Sequence, residues 1–521
     1  MEARLRLHLL HVLAILLVIV AVPAAGVVVG RESAVLRLRE LQWDSSSAGK
    51  IVDRRGQYAE ADHAEKTKGE PKKEAAARTT NTVVLELKHH LLTAIPSHPT
   101  AQERYLRRLL AADEARANSF QLRNRHNIPA SSTQSSAKPS PASSSATATA
   151  SVPLTSGIRF QTLNYVTTIS LGGGGGNLTV IVDTGSDLTW VQCKPCSVCY
   201  AQHDPLFDPS SSASFAAVPC NASSCSSSLK AATGLPGSCS SSAGERCYYS
   251  LSYGDGSFSR GVLATDTVSL GGAGAASVAV DGFVFGCGMS NRGLFGGTAG
   301  LMGLGRTELS LVSQTASRFG GVFSYCLPAT TSAAGSLSLG SGGGYATPVS
   351  YTRMIADPAQ PPFYFVNVTG ASVAGADVAA SGAVLGSANV LVDSGTVITR
   401  LAPSVYRAVR AEFARQFAAA SYPPAPPFSL LDTCYNLTGH DEVKVPLLTL
   451  RLEGGADLTV DAAGMLFMVR KDGSQVCLAM ASLSFEDQTP IIGNYQQKNK
   501  RVVYDTVGSR IGFADEDCSY A

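Results

Sequence analysis

Thr179-Val-Ile-Val-Asp183-Thr184-Gly185-Ser186 returns 210 residues later as Asn389-Val-Leu-Val-Asp393-Ser394-Gly395-Thr396. Each copy is an apolar run that reads as a buried strand and ends in Asp-[Ser/Thr]-Gly-[Ser/Thr]. One such motif marks an ordinary turn in a glycine-rich chain. A matched pair, one in each half, is the pattern of a bilobal fold in which each lobe supplies one loop and two carboxylates face each other. Two carboxylates within hydrogen-bonding distance do not both ionise readily, so they hold one proton between them. One can then act as a base on water and the other as an acid. Gly185 and Gly395 are expected to permit a tight turn behind each Asp. The hydroxyls of Thr184, Ser186, Ser394 and Thr396 are expected to fix the carboxylates by hydrogen bonds. Such chemistry needs no metal or other cofactor.

From Ile158 onward the chain runs in short apolar stretches, such as Asn164 to Leu171, Leu178 to Asp183 and Phe283 to Gly286, broken by Gly, Ser and Pro. That predicts an all-β body, and the 50 glycines suit its turns and bulges. One helix is predicted over Pro403 to Ala420, where Val405, Tyr406, Val409, Phe413 and Phe417 recur at helical spacing. Upstream, Arg4 and Arg6, the apolar run Leu9 to Val22 and the small residues Pro23 to Ala25 read as a signal peptide over residues 1–25. The run is shorter than the roughly 20 residues of a bilayer span, so no stable membrane span is expected after cleavage. Residues 26–80 are polar and predict no fixed fold by themselves. A strand is predicted over Asn81 to Leu91, then a helix opened by a capping box of Thr100 and Glu103 ahead of Leu106, Leu109 and Leu110. Ala130 to Val152 is a Ser/Ala/Thr/Pro linker open to proteolysis. The domains follow as a leader over 26–152, a first lobe over 153–348 and a second over 349–521.

The net charge of +2 is unevenly divided: residues 1–150 carry 21 Lys and Arg against 14 Asp and Glu, and residues 151–521 carry 21 against 26. An acidic body argues against nucleic acid as a partner. It suits a basic leader lying over an acidic cleft, with leader cations expected to hold cleft carboxyls below their usual range until acid protonates them. All 12 cysteines lie between Cys193 and Cys518. In a secreted chain they predict six disulfides, ahead of the metal site that Cys193, Cys196, Cys199 and His203 could otherwise form. Sequons at Asn177, Asn221, Asn367 and Asn436 fit passage through the secretory pathway.

With its paired motifs, the chain resembles pepsin-like aspartic proteases. Trp190 stands where that family has a Trp after its first Asp, and Ser252-Tyr253-Gly254-Asp255-Gly256-Ser257 resembles the tip of the family's flap hairpin. Leu301-Met302-Gly303 and Ile491-Ile492-Gly493-Asn494 resemble the strands behind the two catalytic loops. The resemblance spans residues 158–521, and the cysteine-rich insertion after Trp190 resembles the plant nepenthesin type. It implies that Asp183 and Asp393 are catalytic. Tyr253, Gly185, Gly395, Thr396, Ser186 and Trp190 would line the substrate site. The implied activity is hydrolysis between bulky apolar residues of an extended peptide, by a secreted monomer at acid pH. The family's pairing, carried over by order, implies Cys193–Cys196, Cys199–Cys287, Cys220–Cys247, Cys225–Cys239, Cys326–Cys518 and Cys434–Cys477. The run Gly172 to Gly176 departs from the family's Gly-Thr-Pro turn. No saposin-like insert fits between Asp393 and Gly493.

Plainer readings stand beside these. Trp190 is equally suited to a core, Tyr253 could be one more strand aromatic, and His89, His90 and His203 read as solvated surface. No Gly-x-Ser-x-Gly elbow surrounds Ser310 or any other serine, which excludes the usual serine hydrolase. Two rivals remain: an enzyme inhibitor on the same fold, which would be expected to lack a catalytic residue, and a protease that also binds DNA, which the acidic body disfavours.

Overall fold

The computed structural model describes residues 32–41, 99–126 and 148–519, apart from 173–175, 240–244, 254, 272–276, 342–344 and 379–388. The signal peptide, the strand expected at Asn81 to Leu91, His89, His90 and most of the linker lie outside the described residues.

The body is all-β and bilobal. A 15-stranded sheet carries the first motif, and an 8-stranded sheet carries the second. The halves repeat each other in register. Leu178–Asp183 runs parallel to Gly300–Gly303 with Asp183 opposite Gly303, and Asn389–Asp393 runs parallel to Ile491–Gly493 with Asp393 opposite Gly493. The strand that follows each loop, Trp190–Gln192 or Thr399–Leu401, then pairs antiparallel with that same neighbour. Space explains the glycine that ends each Leu-Met-Gly or Ile-Ile-Gly run. A Cβ at Gly303 would collide with the carbonyl of Asp187, and one at Gly493 with that of Val397. The C-terminal hairpin Lys500–Asp505 and Arg510–Asp515 joins the first lobe's sheet through Val322–Cys326, so the lobes share a hydrogen-bonded floor. The expected helix is present over Pro403–Ala419 and buries Val405, Tyr406, Val409, Phe413 and Phe417.

The leader differs from its expectation. Ser33–Arg37, within the stretch expected to hold no fold of its own, adds antiparallel to Glu442–Pro446 at the second lobe's edge. Leu36, Leu38 and Leu41 are buried there, so this segment takes its order from the body. The leader helix begins at Pro99, which puts Thr100 inside it rather than at its cap. Glu103 turns instead to Arg107, one turn on, and to Arg470 of the body, at 2.9 and 3.3 Å. The last residues of the linker are strand: Ala150–Ser156 pairs with Ala334–Leu339, and Ala150 and Val152 are buried.

Four of the carried-over disulfides are corrected. Cys193 bonds Cys287, because Trp190–Gln192 lies parallel to Gly286–Gly288 and the two Cα atoms come within 5.4 Å. Cys196 and Cys199 close their own small loop. In the insertion, Cys239 sits directly opposite Cys247 in a strand pair, yet the two bond different partners. Cys225 is buried against Cys247 and bonds it, which leaves half-buried Cys220 for exposed Cys239. Cys326–Cys518 and Cys434–Cys477 join as the resemblance implied.

Candidate active site

Asp183 and Asp393 each end a buried strand, and both are fully buried where the lobes meet. Their surroundings are related by the same near-symmetry as the sequence. Asp183 Oδ2 accepts from Ser186 Oγ at 2.6 Å and Oδ1 from Gly185 N–H at 2.9 Å; Asp393 Oδ2 accepts from Thr396 Oγ1 at 2.6 Å and Oδ1 from Gly395 N–H at 2.9 Å.

Thr184 and Ser394 do something other than expected. Neither side chain hydrogen-bonds a carboxylate. Each backbone N–H donates across the interface to the other's hydroxyl, at 3.0 and 2.9 Å, and Ser394 Oγ donates on to Val182 O at 3.0 Å. A side chain at the second motif position projects toward the opposite loop, so these hydroxyls lock loop to loop, while those two residues further on orient the acids. Gly185 and Gly395 are corrected too. Neither has a positive φ. What excludes a side chain is the opposing acid: a Cβ on Gly185 would lie 2.6 Å from Asp393 Oδ1, and one on Gly395 closer still to Asp183 Oδ1.

Over the pair stands the hairpin of Cys247–Ser252 and Phe258–Leu270. Its tip is closed by Tyr253 N–H donating to Ser257 O at 2.8 Å, and Gly256 takes φ +80° in the turn. Trp190, fully buried, donates its indole N–H to the Tyr253 hydroxyl at 2.8 Å, and both rings pack edge-on against Phe295. Trp190 is therefore core and flap support together. His203 is half-buried rather than solvated, lying against Phe160 because Gly297 leaves it room. Cys193, Cys196 and Cys199 are all engaged in disulfides. Of the sequons, Asn177 and Asn221 are exposed, whereas Asn367 and Asn436 are half-buried.

The site also holds a residue that the sequence reading did not single out. Arg116, on the leader helix, donates from Nη2 to Asp183 Oδ1 at 2.7 Å and to Asp393 Oδ2 at 3.1 Å, while its Nε donates to Asp393 Oδ2 at 3.3 Å. The helix is fixed on either side. Leu106, Leu109 and Leu110 pack with Ile158, Val397 and Phe428. Ala117 and Phe120 pack with Phe363, Leu391 and Ile491. The Gln121 amide exchanges two hydrogen bonds with the backbone of Thr489, at 2.9 and 2.7 Å. A signal was present in the sequence: Leu106, Leu109, Leu110, Asp113, Arg116, Ala117 and Phe120 follow one helical stripe, and two charges stand within it.

Electrostatics correct one expectation. Burial pushes the Asp183 carboxyl above its ordinary value; Arg116 pulls it down without cancelling the burial, and Asp393 adds to the rise. At Arg116 burial pulls the guanidinium down, but Asp183 and Asp393 outweigh it and the net shift is upward. Nearby Asp187, which accepts from Thr307 N–H at 2.9 Å, is pushed up to about 7 by burial.

The description "Xylanase inhibitor N-terminal" matches residues 165–341, and "Xylanase inhibitor C-terminal" matches residues 363–515. An aspartyl protease family protein of Arabidopsis thaliana is 42% identical over 369 residues, which cover 71% of this chain and 75% of that protein. Aspartic proteinase nepenthesin-1 of Nepenthes gracilis is 34% identical over 364 residues, or 68% of this chain and 78% of its own. Among solved structures, the aspartic proteinase from Irpex lacteus superposes over 72% of this chain and 99% of its own with a TM-score of 0.50, at 20% identity, which is likeness of fold.

Proposed function

This chain belongs to the pepsin-like aspartic proteases, in their plant nepenthesin-like branch, and from that premise we propose that Asp183 and Asp393 hydrolyse peptide bonds through one water held between them. The carrying observation is the matched seating of the two acids: each keeps one oxygen on a loop N–H and the other on a hydroxyl, with the opposing acid across the interface. Sharing one proton, the pair offers an ionised oxygen to deprotonate the water and a protonated one to hydrogen-bond the peptide carbonyl as it becomes tetrahedral. Asp183, its proton affinity raised by burial, favours that shared state. Tyr253 and Trp190 close the flap over an extended substrate and exclude water. Gly185 and Gly395 leave the space between the acids open.

We further propose that the described state is the precursor, secreted through a signal peptide at residues 1–25 and silenced by Arg116 on the two acids. Acid opens it: protonating the carboxylates removes the attraction that keeps a buried guanidinium in place, and the same proton readies the pair. The leader is then cut ahead of the strand that begins at Ala150, leaving that strand on the first lobe, expected over 153–348, with the second over 349–521. Cleavage between bulky apolar residues and activity at acid pH belong to this reading.

A peptide-library digest by acid-treated protein, run beside Asp183→Ala and a statine-type inhibitor, tests it. Cleavage that survives either control overturns the assignment. The names of the matching family descriptions favour one second reading, inhibition of a xylanase; absent peptide cleavage together with stoichiometric inhibition of such an enzyme would establish it instead.

A further inference from the structure

Arg116 accounts for one of the two charges in the leader helix's apolar stripe. The other, Asp113, lies one turn earlier and is also buried. Its Oδ1 accepts from Val397 N–H at 2.6 Å, and its Oδ2 accepts from Ile398 N–H at 3.1 Å and from Arg400 Nη2 at 2.9 Å. All three donors belong to the body, on the chain that leaves the Asp393 loop; only the acceptor belongs to the leader. Arg400 is itself buried, and its Nη1 donates to Ile398 O at 2.7 Å, which aims the guanidinium at the place Asp113 fills.

Removal of the helix leaves two backbone N–H groups and a guanidinium converging on a vacated position in the cleft wall. A desolvated cation without its partner is costly, so an anion that returns there is bound favourably. Because the vacated position lies beside the proposed catalytic pair, the incoming anion most readily available is a side chain of the bound substrate.

We propose that Val397 N–H, Ile398 N–H and Arg400 form a carboxylate-binding subsite of the leader-free enzyme, which selects an acidic residue near the scissile bond within an otherwise apolar cleft. The subsite rests on the protease reading given above and refines its substrate class. Asp113 and Arg116 are three residues apart on a helix, about 4.5 Å along its axis. An extended peptide advances about 3.3 Å per residue, so the acidic side chain belongs one or two residues from the bond that the Asp pair attacks. Of the body residues, Leu163, Leu294 and Phe295 line the same space around Asp113 and Arg116, so neighbouring substrate positions stay apolar. An Asp side chain has the reach of the one it replaces.

The test uses acid-matured protein with its leader removed and fluorogenic peptides identical but for Asp or Asn at each of three positions on either side of the cleaved bond. Assays run near pH 5, where an Asp side chain is ionised. At one position Asp is expected to exceed Asn in kcat/KM by about ten- to a hundredfold, the worth of charge-assisted hydrogen bonds. Arg400→Gln should bring that ratio to about one, and Arg400→Lys should retain part of the preference. A ratio near one at every position in the native enzyme overturns the subsite, with no variant needed, as does a ratio that Arg400→Gln leaves unchanged. Failure to cleave any peptide of either series is a different result, and it overturns the protease reading itself.

Discussion

Replacing Arg116 with Met keeps much of the side chain's length and removes its charge. The native guanidinium makes four contacts of 3.3 Å or less with two fully buried carboxylates. Breaking a buried charge pair costs about 3–5 kcal/mol. Part of that returns here, because the acids can neutralise each other by sharing a proton, so about 2–3 kcal/mol is the expected net loss. Leu106, Leu109, Leu110 and Phe120 together contribute on the order of 6–12 kcal/mol of gross apolar burial. The variant's helix therefore still docks but opens more often, by about 30- to 150-fold. In a comparison of purified precursors from pH 4 to 7, following N-terminal conversion and the onset of cleavage of a fluorogenic peptide, Arg116→Met should convert faster and retain measurable conversion at neutral pH. Arg116→Lys should fall between, since a point charge cannot fork across two carboxylates as a guanidinium does. Half-times within twofold of the native precursor across that range would refute the lock.

Asp183→Asn and Asp393→Asn should each abolish peptide cleavage while leaving the far-ultraviolet circular dichroism of the protein unchanged, because either substitution removes the shared proton and little volume; native-like turnover by one of them would sink the pair. Tyr253→Ala is expected to lower kcat/KM by about ten- to a hundredfold without eliminating cleavage, since the flap excludes water and positions substrate but transfers no proton; unchanged kinetics would place the flap's function elsewhere. Asp187 gives a pH dependence of stability. Its carboxyl is raised to about 7, so between its unfolded value near 3.8 and about 7 the folded protein holds the proton more tightly than the unfolded chain. Stability from this group is therefore fullest in acid and falls as pH rises through that window, by about 2–4 kcal/mol in all. Asp187→Asn should flatten the loss of Tm between pH 4 and 7; a wild-type slope in the variant would show that another group is responsible.

The acid pair of the candidate site is readable in the sequence because its constraints are local. A strand ending in an acid, a glycine where the opposing acid approaches and a hydroxyl two residues beyond the second position occur within eight residues, and they occur twice. The Tyr253 turn is legible for the same reason, whereas its hydrogen bond to Trp190, 63 residues away in the chain, is not. What was missed depends on pairings across hundreds of residues. Arg116 is one of several arginines in its helix and is distinguished from Arg107 or Arg108 only by the stripe it shares with Leu109 and Phe120. Thr184 and Ser394 were given the right neighbourhood and the wrong partner, because their reach is set by how the lobes meet. Cysteine order could not reveal that Cys225 is buried beside Cys247, and the ordering of Ser33–Arg37 depends on an edge strand some four hundred residues away.

That edge strand gives the leader two grips on the body, one over the proposed active site and one remote from it. A cut anywhere between the leader helix and Ala150 leaves both grips standing, and the remote one holds the severed helix close to its groove. The helix then competes at a local abundance far above that of free peptide in solution, as the second arm of a bivalent ligand does. In the proposed precursor, scission and activation would thereby be separate events: a nicked molecule returned to neutral conditions would close again, and only loss of the strand on Glu442–Pro446 would make the release irreversible.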